Sequence, residues 1–190
     1  MDDRRKYARV EWERRFLLNG FPEDVTVTRA RRIKDLYIEG TSLRLRRESD
    51  GSGRVEFKLT QKLRDGSAGA RQGLITTTYL NAEEFDVLAS LPGRSLTKTR
   101  YSVPPFGIDV FEGESQGLVL AEAEFSSDEE AAALNLPAFA ANEVSNDIRF
   151  TGGNIVKASR AEVAAWVAEY GIALSSFGRG YAGARGTLGV

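Results

Sequence analysis

Apolar and polar residues alternate with a period of two along most of the chain before Ser126. A β-strand has this period, because its successive side chains point to opposite faces of the sheet. The alternation predicts eight strands, at 9–18, 31–38, 42–49, 54–62, 72–80, 95–103, 106–112 and 117–125. Eight antiparallel strands are enough to close a small barrel.

Glycine and proline clusters lie between these segments and are typical of hairpin connections. The clusters are 51–53, 66–69, 92–93, 104–105 and 112–117. Capping-box spacing predicts three helices, because a cap residue is followed three positions later by a glutamate. The pairs are Asn81 with Glu84, Ser127 with Glu130 and Ser159 with Glu162.

The third helix carries its large side chains on one face, at i, i+3, i+4 and i+7. They are Val163, Trp166, Val167 and Tyr170, and Gly171 offers a C-terminal stop. We therefore interpret Trp166 as a packing residue.

The polar face of the predicted strands is charged. The charged rows are Glu11, Glu13 and Arg15; Arg44 and Arg46; Lys58 and Lys62; Lys98 and Arg100; and Glu122 and Glu124. A sheet with one solvated face is the simple explanation for any single row. If the sheet closes with helices outside, however, the rows line the interior. Like charges at ~4 Å would then repel by about 4 kcal/mol at an effective dielectric constant of about 20. A polyphosphate would neutralise the basic rows, and divalent cations would neutralise the acidic ones.

The composition narrows the chemistry further. The chain has 26 basic and 27 acidic residues and contains neither histidine nor cysteine. Ser-His-Asp and Cys-His catalysis, disulfides and imidazole or thiolate metal sites are therefore excluded. Any metal must be held by carboxylates and carbonyls, which suits magnesium, manganese or calcium.

The length of 190 residues favours one domain, which we place at 1–172, followed by a glycine-rich tail at 173–190. In an alternative interpretation, Arg179 and Arg185 of this tail cover an anion at one open end of the barrel. The first residues are charged and no apolar run is long enough to span a bilayer, so we expect a cytoplasmic protein.

At this point the residues resemble a known family. The segment EWERRF is similar to the E-x-E-x-K signature of the CYTH, or triphosphate tunnel metalloenzyme, superfamily. The ordered sequel is also similar over roughly residues 9–155. It consists of Arg44 and Arg46, Lys62, Lys98 and Arg100, Asp109, Glu122 and Glu124, and the segment Asp147, Arg149 and Phe150.

The resemblance implies an α+β fold, an eight-stranded closed antiparallel β-barrel with helices packed outside, whose lumen is the triphosphate tunnel. It implies that the triphosphate is bound by Arg44, Arg46, Lys62, Lys98, Arg100 and Arg149. We expect Lys58 to join them, because it alternates onto the same strand face as Lys62. It implies that Mg²⁺ or Mn²⁺ is held by Glu11, Glu13, Glu122 and Glu124, and that Arg15 and Tyr37 join these acids in catalysis. Tyr37 is equally well interpreted as an aromatic residue of the outer core. Asp109 either binds metal or orients basic residues.

One residue and one strand differ from the family pattern. Arg15 stands where lysine is usual, and an arginine stays charged, so it is a poor proton donor. The fifth strand, LITTTYL, has Thr76 and Thr78 where many members place tunnel carboxylates, so a second metal would be held less tightly.

The leading hypothesis is a metal-dependent triphosphatase that hydrolyses inorganic tripolyphosphate or another small triphosphate. The alternatives are a polyphosphate-binding module with weak or no catalysis and a class IV-type adenylyl cyclase. The expected partner is a small molecule that contains a triphosphate. Neither membrane nor nucleic acid is expected, and both a monomer and a homodimer fit the sequence.

Overall fold

The computed structural model describes residues 6–63 and 72–174 and contains a closed antiparallel barrel, as predicted. Its eight strands are β1 (Arg9–Leu17), β2 (Arg29–Ile38), β3 (Leu43–Asp50), β4 (Val55–Leu63), β5 (Gln72–Leu80), β6 (Gly93–Val103), β7 (Phe106–Phe111) and β8 (Val119–Phe125). Every predicted strand is present, with bounds that differ by at most two residues. The predicted connection at 66–69 lies outside the described residues.

The ring runs β5, β4, β3, β2, β6, β7, β8, β1 and closes where β1 pairs with β5. This closing pair is short, because residues 9–12 lie opposite residues 72–75. The following part of β1 pairs with β8. A two-residue strand that was not predicted, β9 (Asn142–Glu143), adds to the C-terminal end of β1.

The three predicted helices form α1 (Ala82–Ala89), α2 (Asp128–Ala133) and α4 (Arg160–Ala168). Asn81, Ser127 and Ser159 each accept a hydrogen bond from the backbone of the predicted glutamate. The sequence did not predict the single turn α3 (Gly152–Ile155) or two 3-10 turns, at Gly113–Ser115 and Ile148–Phe150.

Helices and loops cover the outer face of the strands, as predicted. Phe85 of α1 stacks on Phe57 of β4, with ring centroids 4.5 Å apart. Phe16 and Ile108 belong to a buried cluster on the outer face of β1, β7 and β8, against which Phe139 packs. This cluster keeps water from one side of the strands that carry the acidic rows.

A second apolar cluster uses inward-facing residues where β1 and β7 end and β6 and β8 begin. These residues are Leu17, Phe111, Leu96 and Leu120, and they pack with Val163 and Val167 of α4. Trp166 packs against the same cluster, with its ring 6.3 Å from that of Phe150. The C-terminal segment therefore fills this part of the barrel with side chains, and the ionic interior lies beside it.

Two glycines permit close approaches that a side chain would prevent. A Cβ at Gly93 would stand 2.4 Å from the carbonyl oxygen of Tyr37, so β2 and β6 meet there without a side chain between them. A Cβ at Gly152 would stand 2.1 Å from the Tyr37 hydroxyl. Tyr37 can therefore lie against the segment that precedes α4.

The last described residues belong to the domain, because Ile172 is buried and Leu174 packs against the second cluster. The remainder of the predicted tail, with Arg179 and Arg185, lies outside the described residues, and the predicted domain boundary stays a prediction. None of the helices in residues 6–63 and 72–174 has the length and apolar character needed to cross a membrane.

Candidate active site

Charged residues from most of the strands converge on a cavity of about 650 Å³ inside the barrel. Its basic lining residues are Arg15, Arg44, Arg46, Lys62, Arg94, Lys98, Arg100 and Lys157, and its acidic ones are Glu11, Glu13, Glu39, Glu122 and Glu124. The structure thus brings together all the sequence-predicted site residues except Lys58 and Arg149. Their roles remain predictions.

The acidic side of the cavity is formed by β1 and β8. Glu13 lies opposite Glu124 in the pairing of these strands, so both side chains share the inward face. The Lys62 Nζ donates hydrogen bonds to Glu11 at 2.8 Å and to Glu13 at 2.9 Å. Burial alone would lower the pKa of Lys62, but the two carboxylates, Glu13 foremost, raise it. The ammonium therefore stays charged and neutralises the acidic pair.

The two acids of β8 have different surroundings. Glu122 accepts a hydrogen bond from the Arg100 guanidinium. Burial would raise the pKa of Glu122, but Lys98 and Arg100 hold it well below its usual range. Glu124 has no hydrogen bond or ion pair within the described ranges, and burial together with the charge of Glu11 raises its pKa.

Asp109 of β7 lies behind the basic residues of β6. It is fully buried and accepts hydrogen bonds from Lys98 and from Arg100, whose Nε is 2.7 Å from Oδ1. Of the two roles left open by the sequence, the structure shows the contacts of the orienting role. Two adjacent cations on one strand face are held side by side because a buried anion lies between them.

Asp35 of β2 has the corresponding position behind Arg44 and Arg46, and the sequence analysis missed it. Its side chain is 1% exposed and accepts two hydrogen bonds from Arg46, from Nε at 2.7 Å and from Nη2 at 2.8 Å. The Arg44 Nε is 3.8 Å away. Burial alone would raise the pKa of Asp35, but Arg46 and Arg44 lower it to about 2.

Tyr37 lies opposite Arg44 on the inward face, lines the cavity and packs against the second apolar cluster, so its interpretation as an aromatic residue of the outer core is wrong. Burial and the charge of Asp35 raise the pKa of Tyr37 to about 12. Its hydroxyl therefore stays protonated at neutral pH and can only donate or accept hydrogen bonds there.

Arg15 is almost fully buried and joins β1 to the C-terminal segment. Its guanidinium nitrogens lie 3.4 Å from the carbonyl oxygens of Phe150 and Ser145, and its Nε is 3.9 Å from Glu13. The side chain thus borders the cavity while it holds the segment that leads into α3. This anchoring suits a permanently charged, multiply donating side chain better than a lysine.

Lys58 and Arg149 do not line the cavity. Lys58 shares the inward face of β4 with Lys62, but its Nζ is 3.1 Å from Glu56 and lies over the Tyr79 ring. Arg149 bonds to Asp147 and Glu169. Both cations are engaged by neighbouring acids away from the cavity wall.

The expected placement of Thr76 and Thr78 is wrong. They lie opposite Gln61 and Leu59 of β4, on the outer face. The inward residues of β5 are Ile75, which lines the cavity, and Thr77, whose hydroxyl is 3.2 Å from that of Thr60. No carboxylate of β5 therefore reaches the interior. The conclusion that this strand contributes no charged ligand is unchanged, but it now rests on Ile75 and Thr77 instead of Thr76 and Thr78.

The sequence analysis also missed Arg94 and Lys157 in the cavity wall. Arg94 is the first inward cation of β6, and its Nη1 is 3.4 Å from the carbonyl oxygen of Lys157. The position of Arg94 two residues from Leu96 on a strand could have indicated its inward face. Lys157 follows α3, and no periodic pattern of the sequence marks it.

The donor chemistry of the cavity fits a divalent cation. The four predicted ligands, Glu11, Glu13, Glu122 and Glu124, all line it. In the described part of the chain, no three acidic residues are grouped so that they could hold a metal ion. The paired oxygens of Glu11 and Glu13 nevertheless already surround one positive group, the Lys62 ammonium. Carboxylate oxygens without nitrogen or sulfur ligands suit Mg²⁺ or Mn²⁺.

The fold and this cavity together define a class of protein, a closed antiparallel barrel whose interior is ionic, with acidic and basic strands facing each other. No family model matches the chain. The inorganic triphosphatase of Nitrosomonas europaea is 31% identical to it over 147 residues, which cover 74% of this chain and 93% of that protein. The chain belongs to the family of this inorganic triphosphatase.

Two solved structures are similar to the chain as well. The crystal structure of the hypothetical protein NE1496 is 28% identical, with a TM-score of 0.51, and the match covers 78% of this chain and 99% of that one. The crystal structure of the inorganic triphosphatase NE1496 is 26% identical, with a TM-score of 0.51, and the match covers 78% of this chain and 95% of that one.

Proposed function

We propose that this protein is a metal-dependent triphosphatase of the CYTH superfamily, which hydrolyses inorganic tripolyphosphate or another small triphosphate inside the barrel. The observation that carries the proposal is the cavity in which basic residues of β3, β4 and β6 face acidic residues of β1 and β8. A polyanion and its cations require these two kinds of wall at once. The family relationship to an inorganic triphosphatase supports the same activity.

The basic residues bind and orient the phosphate chain. Arg44, Arg46, Lys98 and Arg100 hold cationic groups toward one cavity, and buried aspartates behind them limit their motion. Such preorganised charges stabilise the negative charge that develops on the transferred phosphoryl group. Binding in one geometry also places the terminal phosphorus in line with an attacking water.

Glu11, Glu13, Glu122 and Glu124 are the residues that would hold Mg²⁺ or Mn²⁺. A bound divalent cation supplies charge neutralisation and a more acidic water molecule. The chain itself contributes Lys62, whose ammonium donates hydrogen bonds to both Glu11 and Glu13 and holds the two carboxylates close together.

The proton of the attacking water passes to a cavity carboxylate. Glu122 is poorly suited, because its contact with Arg100 holds its pKa low. Glu124 faces the cavity without an ion pair within the described ranges and is the better acceptor. Arg15 contributes positive charge at the cavity wall, and a guanidinium is a poor proton donor.

The test is orthophosphate release from tripolyphosphate, ATP and thiamine triphosphate, each with Mg²⁺ and with Mn²⁺. We expect rapid release from at least one of them, which is lost without a divalent cation and in Glu13→Gln. The Arg149→Gln variant, altered outside the cavity, is the matched control and should keep its activity. If none of the three triphosphates releases orthophosphate with either metal, the proposal is rejected.

Two observations favour a second candidate, a polyphosphate-binding module. Arg15 replaces a potential proton donor, and the inward residue of β5 at the cavity is the apolar Ile75. Both features preserve anion binding while they reduce catalytic groups. Micromolar binding of tripolyphosphate in calorimetry without turnover would establish this function, whereas formation of cyclic AMP from ATP with Mn²⁺ would indicate a cyclase.

The cytoplasmic location remains a prediction from the sequence, which is compatible with both Mg²⁺ and Mn²⁺ and with both a monomer and a homodimer.

A further inference from the structure

We propose that Asp35 is a positioning residue that aims Arg46, and to a lesser degree Arg44, at the bound phosphate chain. The inference rests on the proposed function of the cavity. Asp35 does not line the cavity, whereas Arg46 and Arg44 do. Asp35 therefore does not contact a ligand in the cavity, and it can position one only through these two side chains.

The contact between Asp35 and Arg46 restricts the guanidinium in two ways. Both carboxylate oxygens are used, one by Nε and one by Nη2, which fixes the plane of the guanidinium as well as its position. Three N–H donors are left over, two on Nη1 and one on Nη2, and these are available for phosphate oxygens. A single hydrogen bond would leave the group able to rotate.

The negative charge of Asp35 also helps to position the two arginines. Arg44 and Arg46 are two positions apart on β3 and so project from the same face. Their mutual repulsion would drive the side chains apart in an empty cavity. Asp35, which lies directly opposite Arg46 on the neighbouring strand, offsets it from behind. The cations are thus already in place when the anion arrives.

The geometry distinguishes positioning from simple anion binding. Removal of the negative charge of Asp35 makes the cavity more positive, so a phosphate chain should bind as tightly as before or more tightly. At the same time Arg46 loses its fixed plane, so the reacting geometry should be populated less often. Misplacement of a reacting group by about 1 Å can reduce turnover by about 100-fold.

The variant Asp35→Asn keeps the size of the side chain and removes its charge. We expect kcat for the best triphosphate to fall by ~10- to 100-fold, with KM unchanged or lower and with stronger inhibition by orthophosphate. If Asp35 only stabilised the fold, Asp35→Asn would lower the melting temperature, and its kcat would stay close to that of the wild type. The variant Asp35→Glu keeps the charge and should retain more of kcat than Asp35→Asn.

A double-mutant cycle tests whether Asp35 acts through Arg46. In an Arg46→Lys background the two guanidinium hydrogen bonds to Asp35 are already lost, so Asp35→Asn should change kcat by less than about threefold. In a Lys62→Gln background, which alters a cation held by Glu11 and Glu13 instead, Asp35→Asn should keep its full effect.

Equal effects of Asp35→Asn in the two backgrounds would overturn the proposal, as would a kcat equal to that of the wild type. If Asp35→Asn does not fold, the same cycle is made with Asp35→Glu. Wild-type turnover separately tests the proposed function. If the wild type binds tripolyphosphate without turnover, the proposed function fails, and the inference then predicts a calorimetric dissociation constant for Asp35→Asn that is equal to or lower than that of the wild type; weaker binding would overturn it.

Discussion

Two walls of the cavity solve the same electrostatic problem differently. In the β2–β3 wall, formed by Asp35, Arg44 and Arg46, one buried acid holds the cations from behind. In the β6–β8 wall, formed by Lys98, Arg100, Asp109 and Glu122, a buried acid is joined by a second acid that faces the cavity. The cations of the first wall thus depend on one carboxylate, whereas Arg100 of the second wall keeps one acid if the other is removed. We expect the walls to respond unequally to the loss of an acid.

The largest difference should appear in stability. Asp35→Ala leaves the buried Arg46 without its hydrogen-bonded acid and should lower the free energy of unfolding by about 3–5 kcal/mol. Glu122→Ala should lower it less, because Arg100 keeps Asp109. Urea unfolding of the two variants measures the difference. Equal losses would show that the second acid gives the β6–β8 wall no reserve.

Charge-conserving changes of the two arginines compare the walls in catalysis. Arg46→Lys loses both hydrogen bonds that fix its plane, so we expect kcat/KM for tripolyphosphate to fall by about 100-fold. Arg100→Lys can still place an ammonium between Asp109 and Glu122, and we expect a fall of about tenfold. Orthophosphate release measures both. A larger loss in Arg100→Lys would reverse the proposed dependence.

Acid should weaken the β2–β3 wall. The pKa of Asp35 is lowered to about 2 from its ordinary value. Its contribution to stability is therefore complete above about pH 4 and is lost as the pH falls through about 2, and it amounts to about 2 kcal/mol. The difference in unfolding free energy between wild type and Asp35→Asn should shrink accordingly between pH 7 and about pH 2. Asp86→Asn, on the exposed face of α1, should show no such change.

The smallest effects belong to the two cations outside both walls. Lys58→Gln and Arg149→Gln should each change kcat/KM by less than about threefold, since neither lines the cavity. The solvent-exposed pair of Arg149 with Glu169 should contribute little to stability. A tenfold fall in kcat/KM for either variant would restore its sequence-predicted role in substrate binding.

The comparison of the walls also shows what the sequence could and could not predict. Lys98 and Arg100 form a visible row, and Asp109 follows on the next predicted strand, so the β6–β8 wall could be anticipated. Asp35 is a single acid in a strand, and its partner is set by the register that places it opposite Arg46. Alternation alone does not define register.

Register explains the error in β5 as well. A shift of one residue exchanges the two faces of a strand, and the polar run of three threonines gives no apolar marker of the inward side. The structure turns Thr76 and Thr78 outward because they pair with Gln61 and Leu59. The strands themselves were predictable, since their alternation and the turns between them are local properties.

The order in which the strands join has a consequence for how the molecule assembles. The hairpin of β2 and β3 joins neighbouring segments, whereas β1 must find β8 near the other end of the barrel sequence. Pairing between distant segments is slow, because a long loop must be closed before any contact compensates for its lost entropy. During synthesis the hairpin of β2 and β3 can therefore form early, while the part of β1 that carries Glu13 stays without its partner until β8 has left the ribosome.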